Sequence, residues 1–288
     1  MERRRQGITE SHESELTTKS GNRITILLST STITDENGDY LGALAVVTDI
    51  TERKQAEEAL REANKKLNLL SSITRHDINN QLMVIQGYLT LLEENQPGPI
   101  VIEKFRKHIT AAAERISSMI QFTKEYENIG VHSPVWQDTR ALADVAVRQA
   151  PLGQVQVCND LPTYNEVFAD PLIGKVFSNL MDNAVRHGGK VRTIRFFLEE
   201  AGGSQVIVCE DDGAGIPADE KERIFERGFG KNTGYGLFLA REILAITGIT
   251  IHETGEPGKG ARFEITVPGG MWRNAGERTG SSGTESEV

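Results

Sequence analysis

The sequence predicts an α+β protein of more than one domain, and three shifts of pattern along the chain predict it. The first 50 residues read as strands. Residues 51–127 read as long helices whose apolar positions step by four and three. From about 135 to Pro268, helix and strand alternate, with glycine-rich loops between them. A chain of 288 residues has room for about two domains with tails. Apolar residues make up 38% and charged residues 25%, with a mean hydropathy of −0.35, so packed cores are expected and disorder throughout is excluded.

The same counts narrow the function classes. The longest apolar run, Leu41 to Val47, is far short of the ~20 residues of a membrane-spanning helix. The opening MERRRQG is basic, but no apolar stretch follows it, so it does not read as a signal peptide. Two cysteines, Cys158 and Cys209, are too few for a disulfide scaffold or a cysteine-rich zinc site, and a reducing cytoplasm is the expected location. A net charge of −9 disfavours a broad nucleic-acid-binding surface.

Arg23 to Ile33 is rich in β-branched residues, DENGD at 35–39 supplies a turn, and Leu41 to Thr48 is a second strand. So few strands cannot bury a core alone, so the segment reads as the end of a larger domain or as an element that docks elsewhere. From Thr51, a plausible N-cap, no glycine or proline interrupts a helix in which Ala56, Leu60, Ala63, Leu67 and Leu70 form a stripe. That helix can continue to about Asn95, where NQPGP must break it, and its stripe resumes as Ile78, Leu82, Ile85, Leu89 and Leu92. A second helix over about Val101 to Tyr126 carries Phe105, Ile109, Ala112, Ile116, Met119 and Thr123. One such hairpin leaves most of each stripe uncovered, so a dimer making a four-helix bundle is the economical solution.

Asp170-Pro171 starts another helix, with a capping carboxylate and a proline in the first turn. At about 100° per residue, Asn183, Arg186 and Asp182 fall within about 60° of Asn179, while Ile173, Phe177, Leu180, Met181 and Ala184 lie on the far side. An ordinary solvated face is the simpler reading. Two asparagines, however, cost helix propensity that lysine or glutamate would not, which favours a strip facing a ligand. Downstream, VIVCEDDGAGIP (206–217) is a strand running into a glycine loop. IFERGFGKNTGYGLFLAREI (224–243) is a second glycine loop entering a helix. Neither is a dinucleotide fingerprint or a P-loop. A glycine-rich loop ending at a helix N-terminus near Tyr235 still offers backbone N–H groups to phosphate.

In this order NLMDNAVRHG (179–188), DDGAGI (211–216), IFERGF (224–229) and GYGLFLAREI (234–243) resemble the N, G1, F and G2 boxes of sensor histidine kinases. GKGARFEITVP (258–268) looks like the closing strand of the same Bergerat-type ATP-binding fold. SITRHDINNQL (72–82) resembles the phosphoacceptor H-box in its HD-type variant, familiar from archaeal kinases. DITERK (49–54) looks like the end of a PAS domain. The resemblance covers about residues 15–268. It implies a helical-hairpin dimerisation domain, a four-helix bundle as a dimer, followed by an α/β-sandwich ATP-binding domain. The expected boundaries are a PAS-like C-terminal part at 1–50, a signalling linker at 51–71, a dimerisation and phosphotransfer domain at 72–130, the ATP-binding domain at 135–268, and a disordered tail at 269–288. A complete PAS domain needs roughly a hundred residues. Either the chain is therefore a fragment or its input comes from another protein.

The resemblance also implies roles. His76 would be the phosphoacceptor, Asp77 its orienting base, and Asn80 the polar residue implicated in dephosphorylating the partner. Placed on a helical wheel, His76 and Asn80 face away from the Ile78/Leu82/Ile85 stripe. Asn183 would hold Mg²⁺, and Asp211 would accept from the adenine amine in preference to Asp212. Gly213 and Gly215 would let the backbone approach the base, and Gly234 and Gly236 would cradle phosphates. Asn179, Arg186, His187 and Leu237 complete the ATP set. Residues 222–233 would be the mobile lid, with Lys231 on the γ-phosphate. The function implied is an ATP-dependent histidine autokinase that passes its phosphoryl group to a response-regulator receiver domain. The competing readings are a catalytically silent ATP-binding dimeric scaffold and a Bergerat-fold ATPase without phosphohistidine.

Overall fold

Alternating β-branched residues make Arg23–Thr34 the middle strand of a small antiparallel sheet. In the computed structural model, which describes residues 10–37, 39–95, 98–230 and 234–276, strands β1 (Glu10–Thr17), β2 (Arg23–Thr34) and β3 (Tyr40–Asp49) lie in that order. The turn before β3 is held by Asp35, whose Oδ1 accepts from the N–H groups of Asn37 (2.9 Å) and Asp39 (2.8 Å). Helix α1 (Thr51–Ser72) follows directly. Here the expected cap is corrected, because Thr51 is already helical. The Asp49 carboxylate accepts its N–H at 2.9 Å, and the Thr51 side chain and then this N–H hold that carboxyl below its ordinary range. The Thr51 hydroxyl instead accepts from the Thr25 N–H at 2.9 Å and fastens the helix to β2. The chain divides into two compact units between Arg75 and His76, and this sheet and α1 belong to the first.

A continuous α-helix to Asn95 is also corrected. Ile73–Ile78 forms a π-helical turn before α2 (Asn79–Asn95) resumes. Such wide turns occur often at functional sites. Helix α3 (Pro99–Asn128), with Pro99 in its first turn, completes a hairpin in which Tyr88 stacks on His108 and lies 5.2 Å from Phe105. The stripe residues Ala112 and Met119 are buried, whereas Leu82, Leu89 and Ile120 stay exposed.

Beyond the hairpin, β4 (Val135–Asp138) leads into α4 (Thr139–Gln149), β5 (Gln156–Asn159) and β6 (Asn165–Ala169). Asp170 caps a short 3-10 turn, and then come α5 (Gly174–His187), β7 (Thr193–Ala201) and β8 (Ser204–Asp211). The last elements are α6 (Gly236–Ala245), β9 (Thr250–Glu253), β10 (Arg262–Val267) and β11 (Trp272–Asn274). One sheet runs β5-β7-β8-β10-β9, antiparallel except for β5 beside β7. A second runs β11-β6-β4. The apolar side of α5 is the centre of the core: Val176, Phe177, Leu180, Met181 and Ala184 are buried, and Phe177 lies 5.6 Å from Phe196 of β7. Each of the larger side chains stabilises the fold by about 1.5–3 kcal/mol.

The last two turns of α3 pack on this domain. Phe122 stacks on Tyr235 at 4.4 Å, and Tyr126 on Phe238 at 6.0 Å. The buried Asp170 accepts from both the Leu172 N–H (2.8 Å) and the Gly130 N–H (2.9 Å), which binds the hairpin exit to the start of α5. The expected disordered tail from 269 is wrong for its first eight residues. Trp272–Asn274 pair with β6, and the Arg273 guanidinium sits 4.2 Å from the Trp136 ring centroid while bonding Glu166. Residues 277–288 lie outside the described residues.

Candidate functional site

Two groups of the residues singled out in the sequence come together, one on α5 and the glycine loops, the other at the π turn. In the first, the start of α6 and the polar face of α5 are joined directly, because the Asn179 amide donates to the Gly236 carbonyl at 2.9 Å. Among the described residues no side chain caps α6, so its first-turn N–H groups are placed to meet an anion. Asn183, one turn further along α5, has a buried amide nitrogen with no partner among the described residues. A buried N–H donor left unsatisfied fits an incoming acceptor such as a phosphate oxygen, and the Oδ1 of the same carboxamide is the atom whose chemistry suits a hard cation. Leu237 is half-buried in the first turn of α6.

Asp211 and Asp212 differ in environment. Asp212 is exposed and accepts from the Arg192 and Thr193 N–H groups (2.7 and 3.0 Å), which keep its carboxyl low and give it a structural task. Asp211 is half-buried, and burial pushes its carboxyl up. The N–H groups of Gly213 (2.8 Å) and Ala261 (3.3 Å) pull the other way. An acceptor aimed from the end of a strand into a glycine loop suits an exocyclic amine.

The glycines here are required by close approach. A Cβ on Gly213 would lie 2.5 Å from the Gly188 carbonyl oxygen, and one on Gly215 would lie 2.9 Å from those of Glu256 and Gly260. Gly260 was missed as a site-shaping residue. Its φ is +118°, and a Cβ there would meet the Asp211 carbonyl oxygen at 1.8 Å. Gly260→Ala is therefore expected to cost about 3 kcal/mol, or roughly 10 °C in Tm, because strain and overlap coincide. A thermal melt within a degree of the parent would show that the loop simply moves aside.

Gly234 packs its Cα face onto Gly228 and Phe229, and Phe225 is buried against Phe263 at 6.3 Å. Lys221, also missed, ties the loop after Pro217 to the end of β9. Its Nζ lies 2.9 Å from the buried Glu253 carboxylate and also bonds the Gly255 carbonyl. Lys231 lies outside the described residues. Arg186 pairs with Asp182 at 2.6 Å on the exposed side of α5, and His187 is exposed beside it.

The second group is compact. His76 keeps 75% of its side chain exposed, and its Nδ1 lies 3.0 Å from Asp77 Oδ1 and 3.3 Å from the Asn80 amide nitrogen. The two groups meet through Tyr235, which the sequence reading placed only as a helix start. Its hydroxyl donates to Asp77 Oδ2 at 3.1 Å.

Comparison with known proteins shows what this arrangement is similar to. Residues 169–270 match the family described as histidine kinase-, DNA gyrase B-, and HSP90-like ATPase. The matched segment contains α5, both glycine loops and β8 to β10. Over more of its length, the chain is 28% identical across 262 residues to the signal transduction histidine-protein kinase AtoS of Escherichia coli, and 28% identical across 249 residues to sporulation kinase E of Bacillus subtilis. These alignments take in 85% and 82% of the chain but only 42% and 33% of the two relatives, so the chain spans less than half their length. Among solved structures, histidine kinase ThkA, in complex with response regulator protein TrrA, shares the fold with a TM-score of 0.57 and 19% identity, over 90% of this chain and 78% of that one. Among the described residues, no helix is long and apolar enough to cross a membrane.

Proposed function

We propose that this chain is the kinase part of a homodimeric, cytoplasmic two-component sensor: an ATP-dependent autokinase that phosphorylates His76 and passes the phosphoryl group to an aspartate of a response-regulator receiver domain. The observation that carries this reading is the exposed His76 with its Nδ1 against Asp77, in a chain that also has the ATPase domain. The kinase names of the relatives, and the ThkA complex with a response regulator, support it. On this reading residues 1–50 are the end of a PAS-like domain and 51–71 a signalling linker. Residues 72–130 form the dimerisation and phosphotransfer domain, and the ATP-binding domain runs from 135 to the end of the 269–276 segment.

A nucleotide fits as follows. Asp211 accepts from the adenine amine, with Gly213 and Gly215 allowing the backbone against the base. Gly234, Gly236 and the open start of α6 receive phosphates, with Asn179 and Leu237 beside them; Arg186, His187 and Lys231 are the further nucleotide contacts that the resemblance implies. Asn183 would hold Mg²⁺, which when bound offsets phosphate charge. A proton on Nδ1, donated to Asp77, leaves the Nε2 lone pair pointing to solvent as the nucleophile. Nε2 attacks the γ-phosphorus, the bond to the β–γ bridging oxygen breaks, and its electron pair leaves with ADP. The Nδ1 proton passes towards Asp77 as the ring becomes cationic. In the second step the receiver carboxylate attacks phosphorus, and the P–N electron pair returns to Nε2.

The dimer is proposed from the uncovered stripe. Leu82 and Leu89 are 43% and 46% exposed on α2, and Leu60 and Leu67 are each 63% exposed on α1. The full chain is expected to sediment at twice 31.7 kDa at micromolar concentration. A Leu82→Glu, Leu89→Glu double variant should sediment as a monomer that still binds nucleotide. A parent chain that is monomeric would remove the bundle.

A further inference from the structure

His76 sits between two neighbours that ask for opposite tautomers. Asp77 Oδ1, 3.0 Å from Nδ1, is an acceptor and needs a proton there. The Asn80 amide nitrogen, 3.3 Å from the same atom, is a donor and needs that atom bare. The first tautomer leaves Nε2 as the lone-pair nitrogen; the second puts the proton on Nε2 and removes the nucleophile from the exposed side of the ring. Asp77 is a short side chain with 29% of its surface exposed, so its hold on Nδ1 depends on what fixes its other oxygen.

That other oxygen is bonded by Tyr235 at 3.1 Å, from a residue 158 positions away. Tyr235 is only 5% exposed, and its ring is stacked at 4.4 Å on Phe122 of α3, so the hydroxyl arrives on a rigid arm. Burial, and then the nearby carboxylate, push its hydroxyl up to about 12, so it stays a proton donor throughout the neutral range. We propose that Tyr235 is a positioning residue for His76: by holding Asp77 Oδ2 it keeps Oδ1 on Nδ1 and selects the tautomer whose Nε2 can attack phosphorus. The inference rests on the autokinase reading for its consequence, but its geometry stands apart from it. It also joins the two groups mechanically. Tyr235 lies between Gly234 and Gly236, and Asn179 of α5 holds the Gly236 carbonyl, so the loop that would receive phosphates and the residue that sets the histidine tautomer are one piece of backbone.

Tyr235→Phe in the full chain tests this, because it keeps the ring against Phe122 and removes only the hydroxyl. Nitrogen NMR of ¹⁵N-histidine-labelled protein should show His76 mainly protonated on Nδ1 in the parent and shifted towards Nε2–H in the variant. With γ-labelled ATP, the maximal labelling rate should fall about tenfold, the scale of a lost hydrogen bond to a charged group, while the KM for ATP changes less than twofold. A structural residue would not move the tautomer. An unchanged tautomer, whatever the rate, overturns the proposal, and so does a shifted tautomer with labelling at the parent rate. A shifted tautomer in a protein whose parent never labels would leave the positioning role standing and bring down the autokinase reading instead.

Discussion

A His76→Gln chain takes up no acid-labile label from γ-labelled ATP, while its affinity for the nucleotide stays within about twofold of the parent. Glutamine keeps a polar side chain of similar reach but has no ring nitrogen with a free lone pair, so the covalent step has no nucleophile. The side chain is exposed at a π turn and buries no core surface, so the substitution should leave the fold and the pocket on α5 intact. A loss below detection with binding preserved is therefore a chemical effect. The product is diagnostic as well: a phosphoramidate on histidine hydrolyses in acid, whereas phosphoserine survives. Label at the parent level in the variant would overturn His76 as acceptor. A parent that binds ATP and never labels would favour the silent scaffold, which is the binding half of the same structure without its chemistry.

Much of this arrangement was legible because it depends on local pattern. The four-three stripes gave both hairpin helices to within two residues at each end of α3, and the wheel of α5 separated Phe177, Leu180 and Met181 from Asn179 and Asn183 before any packing was known. Glycines in fixed order marked the two loops. What escaped is set by distant partners. ITRHDI holds no proline or glycine to signal a π turn. β1, ESHESELT, has one large apolar residue and gains its order by pairing with β2. The 269–276 segment looks like a linker because of Gly269-Gly270, yet Met271 accepts a backbone bond from Phe168, and Arg273 stacks on Trp136. Gly260 reads as a turn glycine until the Asp211 carbonyl is found where its side chain would be. Tyr235 is the sharpest case. Its neighbours Gly234 and Gly236 were found by motif, while its own hydroxyl has meaning only beside an aspartate 158 residues upstream.

Asp211→Asn should weaken ATP binding about a hundredfold without unfolding the protein. The carboxylate has three donors to satisfy: the Gly213 N–H at 2.8 Å, the Ala261 N–H at 3.3 Å and, in the proposed complex, the adenine amine. An amide has only one accepting atom. If its oxygen stays with the loop N–H groups, its NH₂ opposes the adenine amine; if it turns to the base, its NH₂ opposes Gly213. Losing a hydrogen bond to a charged group and leaving a buried donor unpaired together cost about 3 kcal/mol, which is roughly two orders of magnitude in Kd. Alanine would be a poorer test, since it would orphan both loop N–H groups and endanger Gly260, whose backbone is packed on this turn. The parent should also show a pH dependence that the variant lacks. Acceptance from the amine needs the ionised carboxyl, and burial raises its titration above the ordinary value of about 3.9. Affinity in the parent is therefore full at neutral pH and falls as pH drops through that raised value, closer to neutrality than an exposed aspartate would give. Calorimetric titration of nucleotide from neutral pH down into the acid range reads both effects. An Asn variant that binds within twofold of the parent, or that keeps the parent's acid-side fall, would move the adenine contact to another residue.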